Sequence, residues 1–502
     1  MASFISWQMC AGAAIAYYAT LVFYRLFLHP LAAFPGPKLA AISRWYEAYY
    51  DIVRGGQYTS QIAQLHRVYG PIVRISPHEL HISDPAFFET LYRNDGRWHK
   101  YAWTYDAFGA PNSTIFGSNH EAHKAHRRAI APFFSKQHVM ARQAILRRNM
   151  DKLCRRISNL SGTPFNLGAA ISAFMRDNAN EFILGKEYNE IDLDDFGVLL
   201  SIGSAGMGPI WRMTKHVPWF GPALKSIPPK WVMKVADEGT KSFFKYIQQC
   251  EKDTRNTLAA AELPFPDPWV KDTMVHTILH SDLPAAEKSF LRIFDEVATV
   301  TAAAFDTTAN AMRLILFHVY ANADILQRLR DEVTAAQPSS SEPIPLKTLE
   351  QLPYLTAVLM EGMRLSPAIS TRAARITDKD LIYGAWRIPA GTPVGMTTLL
   401  MHTDENIYPD PMRFHPDRWL QSATRVATPA STYAPFLRGT RMCLGLHLAW
   451  AEMYLVLATL VQRFSFKIEG VTAADFELDC DNFGIGTKAG CNLMTVAKPV
   501  EN

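Results

Sequence analysis

The chain has 502 residues, 48% hydrophobic and 20% charged, a balance that can bury a large core and carries no compositional sign of disorder. Lysine and arginine exceed aspartate and glutamate by 51 − 47 = 4, which excludes the strong basic bias of a nucleic-acid binder. Six cysteines in this length, none in a C-x-x-C pair, exclude a disulfide-stapled scaffold, a zinc ribbon and c-type haem attachment.

From Ala2 to Tyr24 no side chain is charged. About 20 mostly apolar residues cross a bilayer. Trp7, Tyr17, Tyr18 and Tyr24 suit its interfaces, and the positive charge of Arg25 and Lys38 follows the run. The basic flank and small-residue cleavage site of a secretory signal are missing. The pattern predicts a membrane anchor and flank over residues 1–33, with the bulk of the chain in the cytosol. Phe34-Pro35-Gly36-Pro37 reads as a stiff, non-helical hinge that detaches this anchor from the body. Residues 34–502 show no repeat, low-complexity segment or linker and are expected to form one domain.

Within the body, Tyr69 to Ile82 alternates like short strands. His120 to about Leu160 is helical and basic. Ala285 to Tyr320 reads as one long helix with a buried centre, starting after Pro284. Helical periodicity returns from Tyr354 to Leu365. Strand-like pieces run from Ile376 to Val394, and the Pro-rich segment Tyr408–Trp419 is irregular. A last helix is expected from about Cys443 to Arg463, before a strand-like tail.

The sharpest pattern is F-x-x-G-x-R-x-C-x-G, from Phe436 to Gly445, immediately before that last helix. Each fixed position has a task if Cys443 ligates haem iron. A thiolate pushes electron density onto the metal, and the free N–H groups of a helix N-terminus stabilise the anion. Gly439 and Gly445 permit a tight turn and close approach to a flat ligand. Arg441 can bond a haem propionate, and Phe436 can shield the sulfur. A buried structural cysteine is the bland competitor. Zinc on Cys443 and His447 lacks a second ligand pair.

Glu361-Gly362-Met363-Arg364 has the form E-x-x-R, whose ends share a helix face. Phe414 to Trp419 adds Arg418. In the middle of the long helix stands Ala303-Ala304-Phe305-Asp306-Thr307-Thr308. In order and spacing these motifs resemble the cytochrome P-450 family of haem-thiolate monooxygenases over almost the whole chain. The resemblance implies a mainly α fold with a small β region, preceded by one transmembrane helix. It implies heme b (iron protoporphyrin IX) with Cys443 as axial ligand, and a buried Glu361–Arg364–Arg418 network. Asp306 and Thr307 would relay protons to dioxygen, with Ala304 standing where the family usually has glycine. The Thr307 hydroxyl can also bond back to a carbonyl and open the helix locally. His123 and Arg127 occupy the positions of a W-x-x-x-R motif facing the propionates, with histidine in place of tryptophan. Either Arg372 or Arg375 would bind a propionate, Arg375 being favoured.

No flavin or nicotinamide motif is present, so the resemblance assigns electron supply to NADPH–cytochrome P-450 reductase. Lys124, Arg128, Lys136 and Arg438 are candidates for its docking face. Location would be the endoplasmic reticulum membrane. His29-Pro30-Leu31, Phe34 to Pro37 and Pro132 to Ser135 look like fungal secondary-metabolism members, including terpene oxidases. Substrate contact is expected from Tyr101–Phe116, Val300–Ala304, Ala368–Thr371 and Phe483–Ile485, which favour an apolar small molecule. Two other readings stay open: a haem-thiolate isomerase or dehydratase that does not use dioxygen, and a membrane-bound carrier of apolar ligands.

Overall fold

The computed structural model describes residues 2–337, 343–420 and 432–500, with side chains from Trp7 onward. Ala2–Phe23 is α-helical and continues through a π turn, Tyr24–Leu28. The span Trp7–Leu28 has a mean hydropathy of 1.4 and is not buried against the body. It is long and apolar enough to cross a bilayer.

The expected hinge is docked rather than free. Leu31 and Phe34 are buried, and the Phe34 ring stacks on Trp386 at 4.8 Å. Pro35 O accepts Arg74 N at 2.7 Å, and a Cβ at Gly36 would fall 2.5 Å from Arg74 O. Proline stiffness and glycine slimness together seat this segment against the strand Ile72–Ser76. That strand opens a five-stranded sheet continued by Glu79–Ile82, Val394–Gly395, Arg375–Ile376 and His99–Lys100, in that spatial order.

Helix forms the rest of the body. The stretch expected to be helical and basic is helical, divided at Pro132 and Ser135 into His120–Ile130, a 3-10 turn, Lys136–Ala141 and Gln143–Asn159. Leu167–Leu184 is buried along nearly its whole length and packs on the long helix. The long helix itself starts later than expected. Ala285–Lys288 is a 3-10 turn, Ser289 is extended, and the α-helix runs from Phe290 to Ala321, about 48 Å at 1.5 Å per residue. The last helix is Leu446–Arg463, with Gly445 at its N-cap.

One carboxylate ties the helical side together. Glu361 and Arg364, on the helix Pro353–Leu365, are both fully buried. Arg364 grips Glu361 through two nitrogens, at 3.0 and 2.9 Å. Arg418 Nε, His415 N and Trp419 Nε1 also donate to the carboxylate, at 3.0, 2.9 and 3.0 Å. Arg364 Nη1 reaches His402 O at 2.7 Å. The expected network is therefore present, with the Trp419 indole and a backbone amide added to it. Leaving a buried charge uncompensated typically costs about 3–5 kcal/mol. Glu361→Ala should accordingly give little folded protein, and the soluble fraction and thermal midpoint of the purified variant will show whether it does.

Candidate active site

Two left-handed residues shape the cysteine loop: Leu437 (φ 56°) and Gly439 (φ 73°). A Cβ at Gly439 would fall 2.5 Å from Arg93 O and 2.6 Å from Tyr92 O, so glycine is required there. Gly445 takes an ordinary φ of −82°, and a Cβ on it would meet no protein atom within 4 Å among the described residues, so the protein's own backbone demands glycine at Gly439 and leaves Gly445 free for the expected approach to a flat ligand. The loop closes with Cys443 N donating to Phe436 O at 3.0 Å, while the half-buried Phe436 ring lies 6.2 Å from Trp450. Burial pushes the Cys443 thiol up, and the Gly445 N–H, the Arg127 charge and the Leu446 N–H pull against it. Cys443 is nevertheless exposed. Protein crowds it, yet its side chain opens on an interior cleft.

Cations gather at that cleft. Arg127 Nη1 donates to Met442 O at 2.6 Å. Arg441 is buried and reaches Gly117 O, Ser118 O and Asn119 O at 2.7, 3.0 and 3.1 Å. Among the described residues, Arg375 hydrogen-bonds the carbonyls of Ala373 and Ala374 alone. Strand pairing sets Lys100 directly opposite Arg375, a like-charge juxtaposition that destabilises a sheet. The crowding of positive charge is visible at Arg441, Lys100 and His123. Burial, then Arg375 and Arg127, push Arg441 down to about 9. Lys100 is held well below its usual range by burial, Arg375, Arg441 and Arg127. His123 is buried and pushed to about 2 by desolvation and the charges of Arg441, Lys100, Arg127 and Arg375. Arg375 Nη2 and Arg441 Nε are buried without a hydrogen-bond partner among the described residues.

Arg372 has a different employment. Its guanidinium sits 2.6 Å from Glu79 and 2.9 Å from Glu47, a buried structural cluster that holds it well above its usual range. The geometry thus separates the two arginines that sequence left open. Lys100 was missed, because it lies in a two-residue strand with no motif around it.

The long helix carries the Ala303–Thr308 motif. Ala303 is exposed and Ala304 half-buried. Thr307 Oγ1 donates to Ala303 O at 2.9 Å, and the helix runs through this turn unbroken; the bond back does not open it. Asp306 projects elsewhere. Its carboxylate accepts Ser204 Oγ at 2.5 Å and faces the charge of Arg313. Ser204 carries no motif and sequence reading missed it.

Aromatic rings close the side. Phe108 stacks on Phe116 at 4.1 Å and 7°. Phe483 meets them edge-on at 4.9 and 6.4 Å, and Trp211, absent from the sequence reading, lies 5.6 Å from Phe483. Ala368 (φ 61°) and Phe483 (φ 74°) are both left-handed. They cross-bond through Ile485 N to Ala368 O at 2.9 Å and Ser370 N to Phe483 O at 3.0 Å. Three of the four expected substrate segments therefore meet.

The Cytochrome P450 family model matches residues 45–488, and the chain belongs to that family; it is a cytochrome P450 monooxygenase. It is 39% identical to "Cytochrome P450 monooxygenase tpcC" of Cochliobolus heterostrophus, over 90% of this chain and 86% of that one. It is 35% identical to "N-acetyltryptophan 6-hydroxylase ivoC" of Emericella nidulans, over 98% and 97%. The solved haem domain of cytochrome P450DA shares the fold, with a TM-score of 0.68 at 16% identity, over 90% of this chain and 94% of that one.

His123 gives a pH test. Its folded value near 2 lies below its unfolded value of about 6.5, so the unfolded chain binds the extra proton between those limits. Stability of the haem-free chain should fall as pH drops below about 6.5, by about 1.4 kcal/mol per pH unit from this one group. In His123→Asn that part of the slope should vanish, as urea unfolding of both haem-free proteins from pH 4.5 to pH 7 will report.

Proposed function

We propose that Cys443 is the axial thiolate of a heme b, and that the chain oxidises an apolar small molecule in fungal secondary metabolism. The observation that carries this reading is the chemistry of the cleft. An open thiol held by helix N–H groups stands beside Arg127, which crowds together with Lys100, Arg375 and Arg441, two guanidinium nitrogens of that group having no hydrogen-bond partner among the described residues. That donor set fits a flat dianion with a metal at its centre, and Arg441, Arg375, Arg127 and Lys100 would hold its propionates. His123, neutral and buried, would contribute a single hydrogen bond. Gly439 and Phe436 hold the cysteine loop in register. When bound, haem supplies dioxygen activation and oxygen transfer.

The protein supplies protons and placement. Thr307 spends its O–H on Ala303 O, so its oxygen offers lone pairs to a water donor at the cleft. Asp306 and Ser204 form a second polar pair one residue away, suited to resupply a proton from the side of the helix Val198–Ala205. Such a polar pair beside Thr307 favours a dioxygen-using enzyme over an isomerase or dehydratase, and the cation corner has no use in a carrier of apolar ligands.

The substrate wall is aromatic. Stacked Phe108 and Phe116 against Phe483 and Trp211 favour a flat ring system, and a relative named for hydroxylating N-acetyltryptophan agrees. A terpenoid is the second reading, carried by sequence resemblance. Electrons come from NADPH–cytochrome P-450 reductase. Of the four expected docking cations, Lys136 and Arg438 pair with Glu350 and Glu89, which leaves exposed Lys124 and Arg128 as the better contacts. The apolar helix near the N-terminus anchors the chain in the endoplasmic reticulum membrane, catalytic body in the cytosol.

The carbon-monoxide complex of the reduced protein should show the red-shifted Soret band of thiolate ligation. Cys443→Ala should lose both that band and turnover; a variant that retained them would end the assignment. Thr307→Ala should keep haem but send NADPH electrons into hydrogen peroxide. A positioned proton-transfer group is worth about 10²–10⁴-fold, so product per NADPH consumed is the quantity to measure, with peroxide assayed in parallel.

A further inference from the structure

Glu296 is fully buried on the long helix. At 100° per residue, steps of seven and eleven return to nearly the same face. Glu296, Ala303 and Thr307 therefore stand in one line, with Glu296 about 10 Å along the axis from Ala303. Its carboxylate is bound by a residue far away in sequence. Thr114 N approaches Oε1 and Oε2 at 3.2 and 3.1 Å, and Thr114 Oγ1 donates to Oε2 at 2.8 Å. Arg292 Nη2, one helical turn back, lies 2.7 Å from Oε2 and supplies the countercharge.

Thr114 belongs to the loop that brings Phe116 to the aromatic wall. The flanking carbonyls of that loop are taken by cations of the cleft: Ile115 O by Lys100, and Gly117 O by Arg441. Those two contacts hold its end nearest Cys443. Glu296 holds the end that lies on the long helix. A charged acceptor makes a hydrogen bond roughly twice as strong as a neutral one, and full burial shields it from competing water.

We infer that Glu296 is a positioning residue. It fastens the Thr114–Phe116 segment onto the helix face that carries Ala303 and Thr307, and so sets the width of the substrate space. The inference rests on the proposed reading of that face as the catalytic one. Loss of the clasp lets Phe116 move off the wall while leaving the cysteine loop, held by Arg127 and Gly439, untouched.

The test uses the full chain loaded with haem, and two iron-binding azoles of different reach. Imidazole contacts little beyond the metal, whereas 4-phenylimidazole also presses on the cavity wall. Thr114→Val removes the hydroxyl donor and keeps the Arg292–Glu296 pair, so it avoids the folding risk of Glu296→Ala. Affinity for 4-phenylimidazole should fall about tenfold, the size of one hydrogen bond to a charged group, with imidazole unchanged. Amide hydrogen exchange should quicken at residues 114–117, and Thr114→Ser should restore both readings. Glu296→Gln should fall between the two. Equal weakening of both azoles, or unchanged exchange at the loop, overturns the clasp. If the unmodified protein lacked the thiolate Soret band, the proposed function would fall, while the exchange measurement on the same pair of proteins would still decide the clasp.

Discussion

Repulsion among Lys100, Arg127, Arg375 and Arg441 is the constraint around which the active-site side of the molecule is arranged. The charges acting most strongly on His123 are all positive, and no ordinary core tolerates such a cluster without anions. The chain reduces the cost by turning these groups onto backbone carbonyls: Met442 for Arg127, Gly117 to Asn119 for Arg441, Ile115 for Lys100, Ala373 and Ala374 for Arg375. Carbonyl dipoles offset part of the repulsion and leave the positive potential in place. The same bonds fix the cysteine loop and the Phe116 loop. In the proposed reading, a ligand dianion would neutralise this corner between the two loops.

The opposite charge logic holds in two other clusters. Glu361 gathers Arg364, Arg418, Trp419 and the His415 amide around one carboxylate, and Arg372 is enclosed by Glu47 and Glu79. In these clusters every cation faces a carboxylate, so they act as rigid framework. The contrast explains how chemically identical arginines three residues apart, Arg372 and Arg375, take different work. One faces two carboxylates, and the other faces carbonyls, a lysine and the cleft.

What was legible in the sequence follows from the range of each interaction. The cysteine loop, the Glu361–Arg364 pair and the Asp306–Thr307 step are local spacings, and a spacing survives as a motif. Lys100, Ser204, Trp211 and Glu296 act across 102 residues (Ser204 to Asp306), 182 (Thr114 to Glu296) or comparable separations, where nothing local marks them. The docked hinge shows the same limit. Pro and Gly announce a stiff turn, but only the partner strand, with Arg74 O against Gly36, decides that the turn is packed instead of free. Helix ends shifted for local reasons that sequence does carry: Ser135 is extended before Lys136–Ala141 and accepts His138 N, and Ser289 is extended at the start of the long helix without a side-chain cap bond.

The long helix also resolves the one departure of its motif from the family pattern. Ala304 replaces a glycine, and a methyl group there threatens to narrow the space over the cleft. Successive residues on a helix point about 100° apart, so Ala303 and Ala304 cannot both face the same space. Ala303 is the exposed one, and Ala304 packs against the hydrophobic core. The extra methyl is therefore spent on packing, where burying a CH₂-sized group is worth about 0.8 kcal/mol. On the cleft side the line from Glu296 through Ala303 to Thr307 stays small at its centre and polar at its ends. One end grips the loop that bounds the substrate and the other presents a hydroxyl oxygen. A single rigid helix thereby sets the distance between the aromatic wall and the proton-handling groups, and the substitution at position 304 leaves that distance alone.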